Sequence, residues 1–177
     1  MNDLIFSLDP GSLITGFALM KPPEKLIRAG TLEPDKKTAP SELRIAAMCR
    51  SLWDLLNYYQ PKTILIEWTS GKVGKRHGRG GGAGLAIHGA ATGALWREVL
   101  AWLRWQPPEN QIATTTRLIT ENTWTRQVPK ADRQAAIAQM FPEYKVEQDP
   151  GGDIADACGL AVFYMREQRV RLKECLK

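Results

Sequence analysis

Cysteine is scarce in this chain. Three are spread over 177 residues, as Cys49, Cys158 and Cys175, with no C-x-x-C pair and no histidine pair beside them. Such a set builds neither a disulfide framework nor a zinc site, and it fits a reducing cytoplasm. Long apolar runs are also missing. Nothing reaches the roughly 18 residues of a membrane span, and no basic stretch leads into a long apolar one at the N-terminus, so a cytoplasmic protein without membrane attachment is expected. No internal repeat is visible. Acidic residues are in deficit, 19 against 24 lysines and arginines, leaving a net charge of +5. That excess is compatible with a polyanionic partner without requiring one. What remains is a folding sequence, 44% hydrophobic, sized for a single α/β domain over residues 1–170 with a basic tail at 171–177.

Residues 4–8, 14–20 and 26–32 read as three strands, the last two joined by Lys21-Pro22-Pro23, and together they predict an antiparallel meander. Ser41-Glu42 opens a helix whose apolar residues Leu43, Ala46, Ala47, Leu52, Leu55 and Leu56 recur at helical spacing until Pro61 ends it. A short apolar strand, 63–66, reads as buried on both faces. The glycine-rich basic stretch 71–84 predicts a loop, and 85–105 a long helix before Pro107-Pro108. A fifth strand is expected at 110–114, a short helix at 116–122, and further helices at 131–140 and from Asp153 to about Arg169. The order predicts a mixed sheet, antiparallel in its first part and flanked by helices.

Four carboxylates stand out. Asp9 ends the first strand and is followed by Pro10-Gly11; Glu67 ends the fourth. Asp-Pro-Gly is ordinary turn chemistry, yet if the two strands are neighbours, both acids project at one sheet edge, where open α/β sheets place their sites. Asp153 and Asp156 are three apart at a helix start and share a face. Asp153 reads equally as an N-cap, whereas Asp156 sits among Ile154, Ala155, Ala157 and Cys158 in an otherwise apolar turn. Converging acids repel unless cations neutralise them. Oxygen-only donors suit Mg²⁺ or Mn²⁺, and a pair of such ions is the apparatus of phosphodiester cleavage.

The pieces FSLDPGSLITGFAL, ILIEW, GLAIHGAATGALWREVL, PKADRQAAIAQMF and DIADACGLAV resemble, in that order, the RuvC family of Holliday-junction resolvases within the RNase H-like superfamily. The resemblance covers most of the chain. It implies an RNase H-like five-stranded sheet and a metal-dependent endonuclease that resolves four-way junctions or other branched DNA by paired incisions. Asp9, Glu67, Asp153 and Asp156 would be its metal-binding catalytic tetrad, holding two Mg²⁺ ions. Arg133 stands where the family usually has lysine, with Lys130 just upstream; either is placed to meet the scissile phosphate, and both also read as solvated helix-start residues. Many relatives carry a junction-stacking aromatic three residues after the glutamate. Ser70 stands there, and Trp68 is the nearest substitute. A homodimer and a branch-migration motor are further partners of the kind the resemblance implies.

Two segments remain. Lys72, Lys75, Arg76 and Arg79 follow Glu67 closely and suit a phosphate backbone, although a solvated surface loop has the same composition; the Walker spacing is absent. Leu85, Gly89, Gly93 and Trp96 form a stripe that is nearly smooth in its first half. It packs either on the chain's own sheet or, as the resemblance implies, on a twofold partner. The competing enzyme reading is an RNase H-like nuclease acting on RNA, flaps or single strands. An actin-like ATPase is excluded by length, since 177 residues cannot hold two lobes.

Overall fold

The computed structural model describes residues 3–34, 39–68 and 81–175. Its strands are β1 (Ile5–Asp9), β2 (Thr15–Lys21), β3 (Lys25–Leu32), β4 (Thr63–Trp68) and β5 (Thr115–Thr120). They form one sheet in the order β3-β2-β1-β4-β5. The first three pair antiparallel, while β4 lies parallel to both β1 and β5. The helices are α1 (Ser41–Tyr59), α2 (Gly81–Trp105), α3 (Pro108–Ala113), α4 (Glu121–Thr125), α5 (Lys130–Met140) and α6 (Asp153–Cys175). Among the described residues no helix is long and apolar enough to cross a membrane. The mixed RNase H-like sheet is as expected.

Period-two alternation divides the central strands between two cores. Leu4, Phe6 and Leu8, with Ile64 and Ile66, pack against Met48, Leu52 and Leu56 of α1 and Leu95, Val99 and Trp102 of α2. Ile5 and Leu65 point the other way, onto Ala155, Cys158, Ala161 and Met165 of α6. The same parity sends Asp9 and Glu67 toward α6. The β1–β4 register, which pairs Leu8 with Ile66, brings them one step further along neighbouring strands.

α6 lies close on the sheet because its inward residues are small. Ser7 of β1 donates to the Ala157 carbonyl at 2.7 Å. Over β2, a Cβ on Gly16 would overlap the Asp153 carbonyl, so only glycine lets the first turn of α6 settle there.

Several expectations are corrected. Residues 110–114 are not a strand: Pro108 starts α3 as a favourable first helical residue. Of residues 116–122, Glu121 and Asn122 are helical and open α4, while the β-branched run Thr115-Thr116, Ile119 and Thr120 pairs with β4 instead, Thr63 opposite Thr115. Leu43, expected on the buried face of α1, is 59% exposed, and Met48 takes its place in the core. The last helix runs on to Cys175, through Arg171 and Lys173 of the expected tail. Gly89 and Gly93 do not pack on the sheet either, since among the described residues an added Cβ meets nothing within 4 Å at either. The inward stripe of α2 is Ala91, Leu95, Val99 and Trp102.

Candidate active site

At the end of β1 the chain turns through Pro10–Ile14, and this turn, the end of β4, the start of α5 and the first turn of α6 enclose a cleft of about 780 Å³. Asp9, Glu67, Asp153, Asp156, Lys130 and Arg133 all line it. The structure thus brings together six residues scattered over 148 positions of sequence, from 9 to 156.

Five of the six are held by identifiable side-chain bonds. Arg133 grips Asp156 with two charge-assisted bonds, Nε to Oδ1 at 2.8 Å and Nη2 to Oδ2 at 2.9 Å. Its Nη1 also donates to the Val128 carbonyl at 2.7 Å, which fixes the guanidinium. Lys130 Nζ lies 3.1 Å from Asp156 Oδ2 and 3.3 Å from Asp153 Oδ1. The N-cap reading of Asp153 gives way, because the free amides of α6 go elsewhere. Ile154 and Ala155 donate to the two carboxylate oxygens of Asp149 at 3.2 and 2.9 Å. Asp149 is buried and also accepts from the Tyr144 hydroxyl at 2.8 Å. Asp153 is released to face the cleft.

The electrostatics are those of crowded acids. Burial, then Glu67 and Asp156, hold the Asp9 carboxyl well above the usual carboxylate range, with Lys130 opposing. Glu67 is pushed up to about 7, by burial first; a hydrogen bond from Trp124 lowers it and Asp156 raises it. Burial works against the charge of Lys130, but Asp156, Asp9 and Asp153 together raise its pKa above the ordinary lysine value.

Among the described residues, no three His, Cys, Asp or Glu side chains are gathered into a ready metal cage; Asp156 gives both its oxygens to Arg133. The donor chemistry still fits a hard divalent cation. All the donors are oxygen, and half-buried Asp9 and Glu67 both have carboxyls raised by desolvation and by acidic neighbours, a charge conflict that a cation relieves.

Other expected residues fall differently. Trp68, at the end of β4, is 38% exposed and does not line the cleft. Ser70, Lys72, Lys75, Arg76 and Arg79 lie outside the described residues. Leu85, Gly89, Gly93 and Trp96 are on α2, exposed or half-buried. One residue of the cleft wall and one behind it that bonds a cleft residue escaped the sequence. His88 of α2 lines the wall, its pKa lowered by burial. Trp124 of α4, buried in the α6-side core, reaches Glu67.

The fold has known counterparts. Over 93% of its length the chain superposes on Thermus thermophilus RuvC bound to a Holliday junction substrate, with a TM-score of 0.67, 13% identity and 95% of that chain covered. A second Thermus thermophilus RuvC structure gives 0.63 at 13% identity, covering 93% of this chain and 96% of that one. Fowlpox virus resolvase, in complex with Holliday junction DNA, gives 0.54 at 16% identity, covering 93% and 98%. The chain has the fold of these resolvases. No family model and no curated protein matches its sequence.

Proposed function

We propose that this chain is a metal-dependent, structure-selective endonuclease that resolves Holliday junctions or related branched DNA by paired phosphodiester incisions. The observation that carries the reading is the convergence of Asp9, Glu67, Asp153 and Asp156, with Lys130 and Arg133, in one cleft at one end of an RNase H-like sheet. The fold shared with two junction resolvases supports it.

In this reading the four carboxylates hold two Mg²⁺ ions, or Mn²⁺ in their place. Bound there, such ions activate water and neutralise charge on the leaving oxygen. The chain's own groups do the rest. Arg133 and Lys130 fix the carboxylate of Asp156 and bring positive charge to the cleft wall, where it faces an entering phosphate. Lys72, Lys75, Arg76 and Arg79 supply charge for the phosphate backbone, and exposed Trp68 offers a flat surface for an unstacked base. Two copies joined through the Gly89–Gly93 side of α2 would present two sites to two strands.

The test is incision of a four-way junction, a flap, a plain duplex and an RNA–DNA hybrid, each with Mg²⁺. The expected result is symmetric paired cuts on the junction, and the Asp9→Asn variant should lose them by more than about 100-fold, beyond what loss of a supporting group costs, while still binding DNA. Near-normal cleavage by Asp9→Asn overturns the tetrad. Preference for the hybrid or the flap would make the chain an RNase H-like nuclease of another substrate class.

A further inference from the structure

We infer that Trp124 is a positioning residue for Glu67, fixing which carboxylate oxygen is left free for a cation. This rests on the reading of Glu67 as a metal ligand. The indole Nε1 donates to Glu67 Oε2 at 2.7 Å across 57 residues of sequence. An indole nitrogen only donates, so it holds an ionised carboxylate without competing for a cation. With Oε2 taken, Oε1 is left for the cleft.

Two further contacts fix the ring. A Cβ added to Gly159 of α6 would lie 2.7 Å from the Trp124 ring, so the indole is seated against that glycine. Its face carries the Arg133 guanidinium, 5.3 Å from the ring centroid, and that guanidinium grips Asp156. One side chain on a five-residue helix therefore touches a ligand from β4 directly and the clamp on a ligand from α6 through Arg133. A tryptophan serving only as core filler would need the ring and its seat but not the N–H.

That difference is testable. Trp124→Phe removes the donor, and site-specific replacement of Trp124 by benzothienylalanine, where sulfur stands for N–H, removes it at almost constant shape. Mn²⁺ binding followed by electron paramagnetic resonance should weaken about tenfold in both, the lower end for loss of a ligand's hydrogen-bond partner. The benzothienylalanine protein should melt in chelator close to wild type. Combined with Glu67→Gln, Trp124→Phe should weaken Mn²⁺ binding no further, because the two act through one carboxylate. Unchanged Mn²⁺ affinity in both single variants, beside a Glu67→Gln protein that binds Mn²⁺ poorly, would make Trp124 ordinary core and leave the metal reading standing. A Glu67→Gln protein that binds Mn²⁺ as well as wild type would overturn both.

Discussion

The two faces of the sheet both bury hydrocarbon but differ in the polar groups buried beside it. Against α1 and α2, Phe6 stacks on Phe17 at 5.7 Å, and Leu8, Leu19, Ile64 and Ile66 are fully buried. The polar side chains buried there are threonines: Thr15 contacts Met48 Sδ, and Thr92 bonds within its own helix. The α6 face carries the two carboxylates buried among the described residues, Asp149 and Asp156, together with Ser7 and the ion-paired end of α5. Hydrocarbon burial is non-directional and gives about 1.5–3 kcal/mol per large side chain. Buried charge is costly unless every partner is in place. Both faces bury hydrocarbon, and the α6 face also spends geometry on holding acids together.

The sharpest way to break this contrast is to damage the dry face. Leu56→Ala, at a site with no exposure, should destabilise the protein by about 2–5 kcal/mol through lost burial and a cavity. The folded fraction should bind Mn²⁺ as wild type does. Chemical denaturation paired with metal titration checks both halves. A large fall in metal affinity would mean that the faces are mechanically coupled and the contrast is wrong.

The wet face should answer to pH instead. Glu67 has its proton held up to about 7 in the fold, chiefly by burial, against 4.5 ordinarily. The folded state thus keeps a proton that the unfolded chain releases. The stabilising contribution is complete below the unfolded value and is lost as pH rises through the folded one. Metal-free protein should lose on the order of 1–3 kcal/mol of stability between about pH 5 and pH 8, with Asp9 adding in the same direction. Glu67→Gln should flatten that decline, and Mg²⁺ should offset it at the alkaline end, because binding requires the ionised carboxylates. Denaturation midpoints across the range, with and without chelator, measure this. A pH-independent midpoint would mean that the acids are already compensated within the protein.

How far the sequence foretold these faces follows from how local each signal is. Asp9 and Glu67 were legible because each closes an apolar strand, and strand parity then carries both to the same face. Asp153 and Asp156 were legible from helical spacing. β5 was missed because it is a sheet edge with only Ile119 buried, so its alternation is faint; six-residue α3 buries nothing and has no period to detect. The capping of α6 by Asp149, four positions before the helix, falls outside the usual cap position. The Trp124–Glu67 bond spans 57 residues, and no local pattern encodes a contact of that range.

The smallest expected effect concerns the outer side of the dry face. Glycine inside a helix costs about 1 kcal/mol relative to alanine, and at Gly89 and Gly93 nothing among the described residues within 4 Å of an added Cβ compensates. Gly93→Ala should therefore stabilise an isolated protomer, by roughly 0.5–1 kcal/mol. If two copies meet on this side of α2, as proposed, a larger residue has the opposite effect on assembly: Gly93→Leu should reduce the mass in light scattering from two chains to one while the protomer's melting temperature holds or rises. Junction cleavage by that variant should fall from paired cuts to single nicks. The informative pairing is stability up with mass down, because overpacking of a buried helix would lower both. A wild type of one chain's mass, both free and on a four-way junction, would leave the two glycines a bare surface and remove the dimer from the proposed function.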